Sequence, residues 1–225
     1  MMNQPPNFPR GLAFNLEPCK GNGWYTWSDT YRTTQDGITC TTPVGYPQPM
    51  LTDIVQDTNG DLILGFRDRF ADQYGLNQDR APGPPQILVN PGSGSDLNRA
   101  CPDASDAYVM DGNDGCVNNA TRANVGIQRA EVREYYPGDW LTGFHQEAAY
   151  GGITLSKVET TLLSQFVNPI DVTYSSGPGR VNRTTGQRVD GQLCNLLTCS
   201  FGKGGGMADL EVLCDLAPPQ IGNRV

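Results

Sequence analysis

LTDIVQDTNGDLILGFRDRFADQYG, residues 51–75, is the stretch from which the fold of this 225-residue chain is read. Leu51 to Val55 and Leu62 to Phe66 are short runs rich in β-forming residues. Between them lies Asp57-Thr58-Asn59-Gly60-Asp61. Asn-Gly is the strongest short-range hairpin signal, because both residues tolerate positive φ. The stretch therefore predicts strand, tight turn, strand. The second run ends in Arg67-Asp68-Arg69 and Asp72, read as a charged loop directly after apolar residues. A hairpin closing on such charge suits the functional or interface edge of a repeated β-sheet blade.

The rest of the chain agrees with short strands. No long window carries convincing helical periodicity. Gly152 to Phe166, the best helical candidate, alternates apolar and polar at Ile153, Leu155 and Val158, and reads as strand followed by strand. The 27 glycines and 17 prolines are spread out and punctuate strands. Strands are expected at 10–16 and 23–31, where Trp24 and Trp27 are apolar anchors, at 86–89, 131–140, 144–155 and 160–167, and near 171–174. Residues 96–130 are polar and read as a long excursion loop, and 168–192 as a Gly/Arg/Thr-rich connection. The expected class is all-β, with short antiparallel four-stranded sheets in a β-propeller-like domain, closed, incomplete or shared, and long disulfide-stapled loops. The expected organisation is an extension at 1–9, the β domain at 10–217, and a linker or first strand of a following domain at 218–225.

A net charge of −8 argues against a nucleic-acid partner, which demands a basic face. No apolar run approaches membrane-spanning length. Lysine occurs only at Lys20, Lys157 and Lys203, so the basic residues are mostly arginines, suited to multi-donor clamps between strands.

Seven cysteines fall as Cys19/Cys40, Cys101/Cys116 and Cys194/Cys199, with Cys214 left over, either free and buried or bonded across the chain. Such local pairs suit disulfides in an oxidising compartment. Zinc is the weaker reading, since His145 is the only histidine. An extracellular or cell-surface location after export follows. The first residues carry neither a charged nor an apolar signal region, so the expectation is a lost export signal or a part of a longer product.

Candidate sites fall into four groups. Asp57, Asn59 and Asp61 place three oxygen ligands around a glycine, and Asp111, Asn113 and Asp114 form a second acidic turn. Both read either as calcium sites or as solvated turns, calcium being the one cofactor in question. Arg67, Asp68, Arg69 and Asp72 read as a structural charge cluster that ties one blade to the next, with a binding site as the alternative. Trp24, Trp27 and Trp140, with Tyr25, Tyr135 and Tyr136, suit stacking on sugars. His145 and Glu147 share a strand face and, with Asp139 or Glu134, are an acid–base or metal candidate, against a structural histidine. No serine triad, phosphate loop or zinc motif accompanies them, and Gly202 to Gly206 lacks the Gly-Lys-Ser/Thr ending. Asn119-Ala-Thr121 and Asn182-Arg-Thr184 have the form of glycosylation acceptors.

Several of these pieces together resemble a known family. They are Trp24-Tyr-Thr-Trp27, Tyr46-Pro-Gln-Pro-Met-Leu-Thr-Asp53, Leu64-Gly-Phe-Arg-Asp-Arg69 with Asp72-Gln73, Glu134-Tyr135-Tyr136 with Gly138-Asp139, His145-Gln-Glu147, and Gly202-Lys203 with Ala208 to Asp215. The pattern is similar to the β-propeller-like region of large bacterial surface proteins that precedes serine–aspartate-repeat B-type, immunoglobulin-like domains. Ile221 to Val225 looks like the first strand of such a domain. The resemblance implies an exported surface part and assigns no catalytic residue. It leads to a non-enzymatic surface-assembly, filament or adhesion module, partnered by other surface subunits or by itself through strand addition. The alternatives are a calcium-dependent glycan- or ligand-binding propeller and a hydrolase using Asp68, Asp72, Glu134 or Glu147.

Overall fold

The computed structural model describes residues 24, 27, 34–35, 38–39, 48–73, 78–79, 88–89, 95–110, 122–123, 133–139, 149–167, 176–191 and 209–213. Along the chain the strands are β1 (Thr34–Gln35), β2 (Ile38–Thr39), β3 (Pro49–Gln56), β4 (Leu62–Asp68), β5 (Gln78–Asp79), β6 (Leu88–Val89) and β7 (Asp96–Pro102). There follow β8 (Tyr108–Met110), β9 (Arg122–Ala123), β10 (Arg133–Glu134), β11 (Ala149–Leu155), β12 (Thr161–Val167), β13 (Ser176–Asn182) and β14 (Arg188–Gly191). One helical turn, Arg69–Gln73, follows β4, and a 3-10 turn occupies Pro137–Asp139.

Two antiparallel four-stranded sheets organise these elements, in the orders β3-β4-β7-β8 and β11-β12-β13-β14. Each is an up-and-down meander. β1–β2, β5–β6 and β9–β10 are two-residue ladders. The expected all-β class with four-stranded antiparallel sheets is therefore the observed one.

The main core lies between the two sheets. Ile63 and Leu97 from the first sheet meet Ala149, Ile153, Leu155, Leu162, Phe166 and Val181 from the second, with Tyr135 and Tyr136 filling the gap. A smaller cluster of Leu64, Phe66 and Ala100, with Trp24, Leu62 and Met110, covers the other face of the first sheet. This explains the unbroken apolar run Leu62-Ile63-Leu64. Successive strand residues point to opposite faces, and both faces are covered.

The sheets approach most closely where side chains are missing. A β-carbon on Gly65 would lie 2.1 Å from the Gly151 carbonyl oxygen. One on Gly151, whose φ is +79°, would lie 2.0 Å from Thr52 Oγ1. Register shifts fall at these same places, between Leu51 and Asp53 in β3 and between Ala149 and Ile153 in β11. Bulges in both strands thus bend the backbones together. Beside this contact Thr52 Oγ1 donates to the Gly65 carbonyl within the first sheet, and across it Ile153 N–H donates to Asp53 at 2.7 Å.

Several expectations need correction. The first hairpin forms as read, β3 pairing with β4, but Asn59 and Gly60 do not both take positive φ. Gly60 N–H donates to Asp57 O at 3.0 Å, Asp57 N–H donates to Asp61 O at 2.8 Å, and only Gly60 takes positive φ, at 92°. That is a three-residue loop with glycine in the left-handed position. The expected charged loop after β4 is the helical turn Arg69–Gln73, because Asp68 caps it: its Oδ1 accepts the Phe70 N–H at 2.9 Å.

Residues 96–130 are not a single irregular loop, since they supply β7 and β8, the third and fourth strands of the first sheet. Likewise, β13 and β14 lie within the expected connection 168–192. Among the described residues of 131–140, which are 133–139, only Arg133–Glu134 is strand, and Tyr135 and Tyr136 enter the core from an irregular segment. Trp24 and Trp27 are not in strands.

The expected cystine staples are not displayed as closed pairs. Cys101 lies on β7, inside the first sheet rather than in a loop, and is a disulfide half whose partner is outside the described residues. Cys116, its expected partner, is outside them, as are both members of the expected pairs Cys19/Cys40 and Cys194/Cys199, and the leftover Cys214. The other residues of 10–16 and 23–31, the segment 171–174, and the expected domain boundaries lie outside the described residues as well.

Candidate functional site

The densest chemistry among the described residues is a set of charged side chains at the seam between the sheets. It begins at the end of β4. Asp68 is 2% exposed and accepts from Gln48 N–H and Phe70 N–H, both at 2.9 Å. Arg67 grips Asp72 with two hydrogen bonds, 2.9 and 2.6 Å, and its guanidinium sits 5.0 Å from the centre of the Tyr150 ring on β11. Arg69 donates to Gln48 Oε1 and lies over Trp27. Arg67 thus links the helical turn to the second sheet, while Asp68 and Arg69 fasten it to the segment preceding β3.

At the other end of the sheets, the hairpin loops meet. Arg183, in the turn after β13, donates to Asp57 through Nε and Nη2, and to Thr58 Oγ1 at 2.7 Å. Its Nη1 donates to the carbonyls of Ser156 and Glu159, in the turn between β11 and β12. Tyr135 Oη completes the knot, donating to the carbonyls of Arg183 and Thr184 at 2.9 and 3.1 Å. One arginine therefore gathers three turns from both sheets. Burial by itself would raise the Asp57 carboxyl, but hydrogen bonds from Arg183 and Thr58 and the guanidinium charge hold it below its usual value.

Between these two ends Arg99, on β7, crosses the seam. It is 5% exposed, pairs with Asp61 at 3.3 Å, and stacks 3.6 Å from the Tyr135 ring centre. A buried guanidinium is tolerable only with such partners.

The Pro137–Asp139 turn straps the sheets together. Gly138 N–H donates to Gly186 O at 2.8 Å, and Arg188 Nε donates to Gly138 O at 2.8 Å. Asp139 reaches the other way, its Oδ2 accepting Leu97 N–H at 2.9 Å. Asp139 is fully buried, and Asp96 beside Leu97 is 1% exposed. Desolvation raises the Asp139 carboxyl to about 7, against the opposing pull of the Leu97 N–H and the Arg188 charge. Closed to solvent, this carboxyl is placed to hold a proton rather than to hand one to a substrate.

The sequence-derived candidates distribute as follows. Asp57 and Asp61 face arginines, and Asn59 bridges its own loop through Asp61, donating at 2.9 Å and accepting at 3.0 Å. Among the described residues no group of three or more His, Cys, Asp or Glu is placed to hold a metal. Arg67, Asp68, Arg69 and Asp72 come together around the helical turn as described above. Trp24 packs on Phe66 with ring centres 6.0 Å apart, whereas Trp27 is 60% exposed. Asn182 Oδ1 accepts from Thr184 N–H and Thr185 N–H, so this glycosylation triplet is also a turn. Of the cysteines expected in disulfides, Cys101 is placed, and Cys19, Cys40, Cys116, Cys194 and Cys199 lie outside the described residues. Asp111, Asn113, Asp114, Trp140, His145, Glu147, Asn119 and Cys214 also lie outside them, as do 202–206 and the side chain of Glu134.

Sequence reasoning gave no role to Asp96, Arg99, Arg183 or Arg188, and named Asp139 as a companion of His145 and within the resemblance pattern. Their partners lie far away in the chain, 38 residues for Arg99 with Asp61 and 126 for Arg183 with Asp57, so no local pattern marks them. The one local hint is an arginine or aspartate inside a stretch that must be buried. No family model, curated protein or solved structure matches this chain.

Proposed function

We propose that this chain is a non-catalytic structural module of an extracellular or cell-surface protein. In this reading the two sheets are blades of a β-propeller-like unit, with cystine-stapled loops, that assembles with copies of itself or with neighbouring surface subunits. The observation that carries the reading is the use made of the ionisable groups. Arg183, Arg99, Arg67 and Asp68 are spent on fastening strands and turns to one another, which suits a rigid building unit. Exposed apolar side chains on end strands supply a contact surface: Leu51 and Ile54 on β3, 43% and 52% exposed, and Val189 on β14, 54% exposed. Such residues on sheet margins are what proteins use, or guard, in edge-to-edge association. The resemblance to the propeller-like region of bacterial surface proteins supports the same reading.

Light scattering and negative-stain imaging across a concentration series test it. Concentration-dependent assembly, weakened by Ile54→Asp or Val189→Asp with the fold retained, is the expected outcome. A monomer at every concentration, in both wild type and variants, counts against the proposal.

A further inference from the structure

We propose that Asp96 and Asp139 form a buried acid pair holding a single proton, which latches the Pro137–Asp139 turn onto β7, and that this latch weakens as the pH rises. The two residues are 1% and 0% exposed. Asp139 Oδ2 takes the N–H of Leu97, the residue next to Asp96, and the two side chains are within hydrogen-bonding reach of each other. Asp139 Oδ1 is buried and has no donor among the described residues. A protonated carboxyl supplies a donor that two carboxylates lack, and two buried carboxylates side by side do not both ionise.

The surrounding charges set the balance. From β14, Arg188 favours the ionised form, although its Nε is committed to the Gly138 carbonyl and its guanidinium lies 4.4 Å from the Phe166 ring centre. From β7, Arg99 is turned to Asp61 and the Tyr135 ring. On the segment leading into the turn, burial keeps Tyr136 protonated well above its usual range. In the unfolded chain an aspartate ionises near pH 4. The folded chain therefore binds more protons between that value and neutrality. Stability is greatest at the acid end of this window, falls as the pH rises through it, and levels off once the folded pair has ionised. The proton leaves to water and no other group changes oxidation or bonding.

Thermal unfolding of the full chain from pH 4.5 to 8.5 tests the latch, comparing wild type with Asp139→Asn and Asp96→Asn. The amide keeps the shape and supplies a donor without titrating. Wild type is expected to lose several degrees of Tm between pH 5 and pH 8. Asp139→Asn is expected to match it at pH 5 and exceed it at pH 8, and any contribution of His145 cancels in the difference. Parallel profiles for wild type and variant overturn the proposal. So does a variant less stable by the same amount at every pH, the signature of an ionised Asp139 bound to Arg188. Should both variants fail to fold, carboxyl carbon-13 titration of wild type decides: one aspartate ionising near neutrality supports the shared proton, and all aspartates ionising below pH 5 overturn it.

Discussion

β4 and β7 are neighbours in the same sheet, and both are almost wholly buried, yet they are written in opposite alphabets. β4 reads Leu-Ile-Leu-Gly-Phe-Arg-Asp and fills its two faces with hydrocarbon. β7 reads Asp-Leu-Asn-Arg-Ala-Cys-Pro and places Asp96, Asn98 and Arg99 at 1%, 3% and 5% exposure. Burial of the first strand follows from its own residues, through the hydrophobic effect. Burial of the second depends on partners supplied elsewhere: Asp61 and Tyr135 for Arg99, and Asp139 for the Leu97 N–H. Hydrocarbon specifies that a segment goes inside, whereas paired charge specifies where inside it must sit.

The largest expected effect breaks the hydrocarbon side of this contrast. Gly65→Ala drives a methyl group into the Gly151 carbonyl, backbone against backbone, where no rotamer relieves it. Overpacking of this kind should cost about 3 kcal/mol or more, read from urea unfolding. Next comes the charged side. Asp61→Ala removes the carboxylate facing Arg99 and should cost about 3 kcal/mol, because a guanidinium stays buried without it. Adding Arg99→Met with Asp61→Leu should recover most of that loss, since a matched apolar pair replaces a matched ionic one. If the double variant is no better than the single, β7 is held by something other than this pair.

That contrast also explains what the sequence shows and what it hides. Leu51 to Val55, Leu62 to Phe66 and Gly152 to Phe166 were readable because apolar runs and a glycine turn are local signals. β7, β8, β13 and β14 were not. β13 reads Ser-Gly-Pro-Gly-Arg-Val-Asn, with two glycines and a proline, and is inside because Gly179 leaves room for the Phe166 ring, which a β-carbon there would strike at 2.7 Å. Such a strand is defined by the shape of its neighbour, and neighbours are not adjacent in sequence. The charge cluster from Arg67 to Asp72 was readable as a cluster, while its attachment to Gln48 and Tyr150 was not.

Smaller effects sharpen the picture. Asp57 is held below its ordinary value, so its ion pair with Arg183 contributes fully above about pH 4 and is lost as the pH falls further. Asp57→Asn should therefore flatten the profile below about pH 4 and leave the slope between pH 4 and neutrality, assigned above to Asp139, unchanged. The smallest effect belongs to Arg180 and Asp190, paired across β13 and β14 with side chains 48% and 46% exposed. Arg180→Ala should leave Tm within about 1 °C of wild type, as solvent screens exposed pairs.

Residue-resolved amide hydrogen exchange measures the central contrast most directly. The N–H groups of Leu97 to Ala100 in β7 should be protected to the same degree as those of Ile63 to Phe66 in β4, and Asp61→Ala should loosen β7 first. Exchange of the β7 amides at the rate of an open loop, beside a protected β4, would contradict the account.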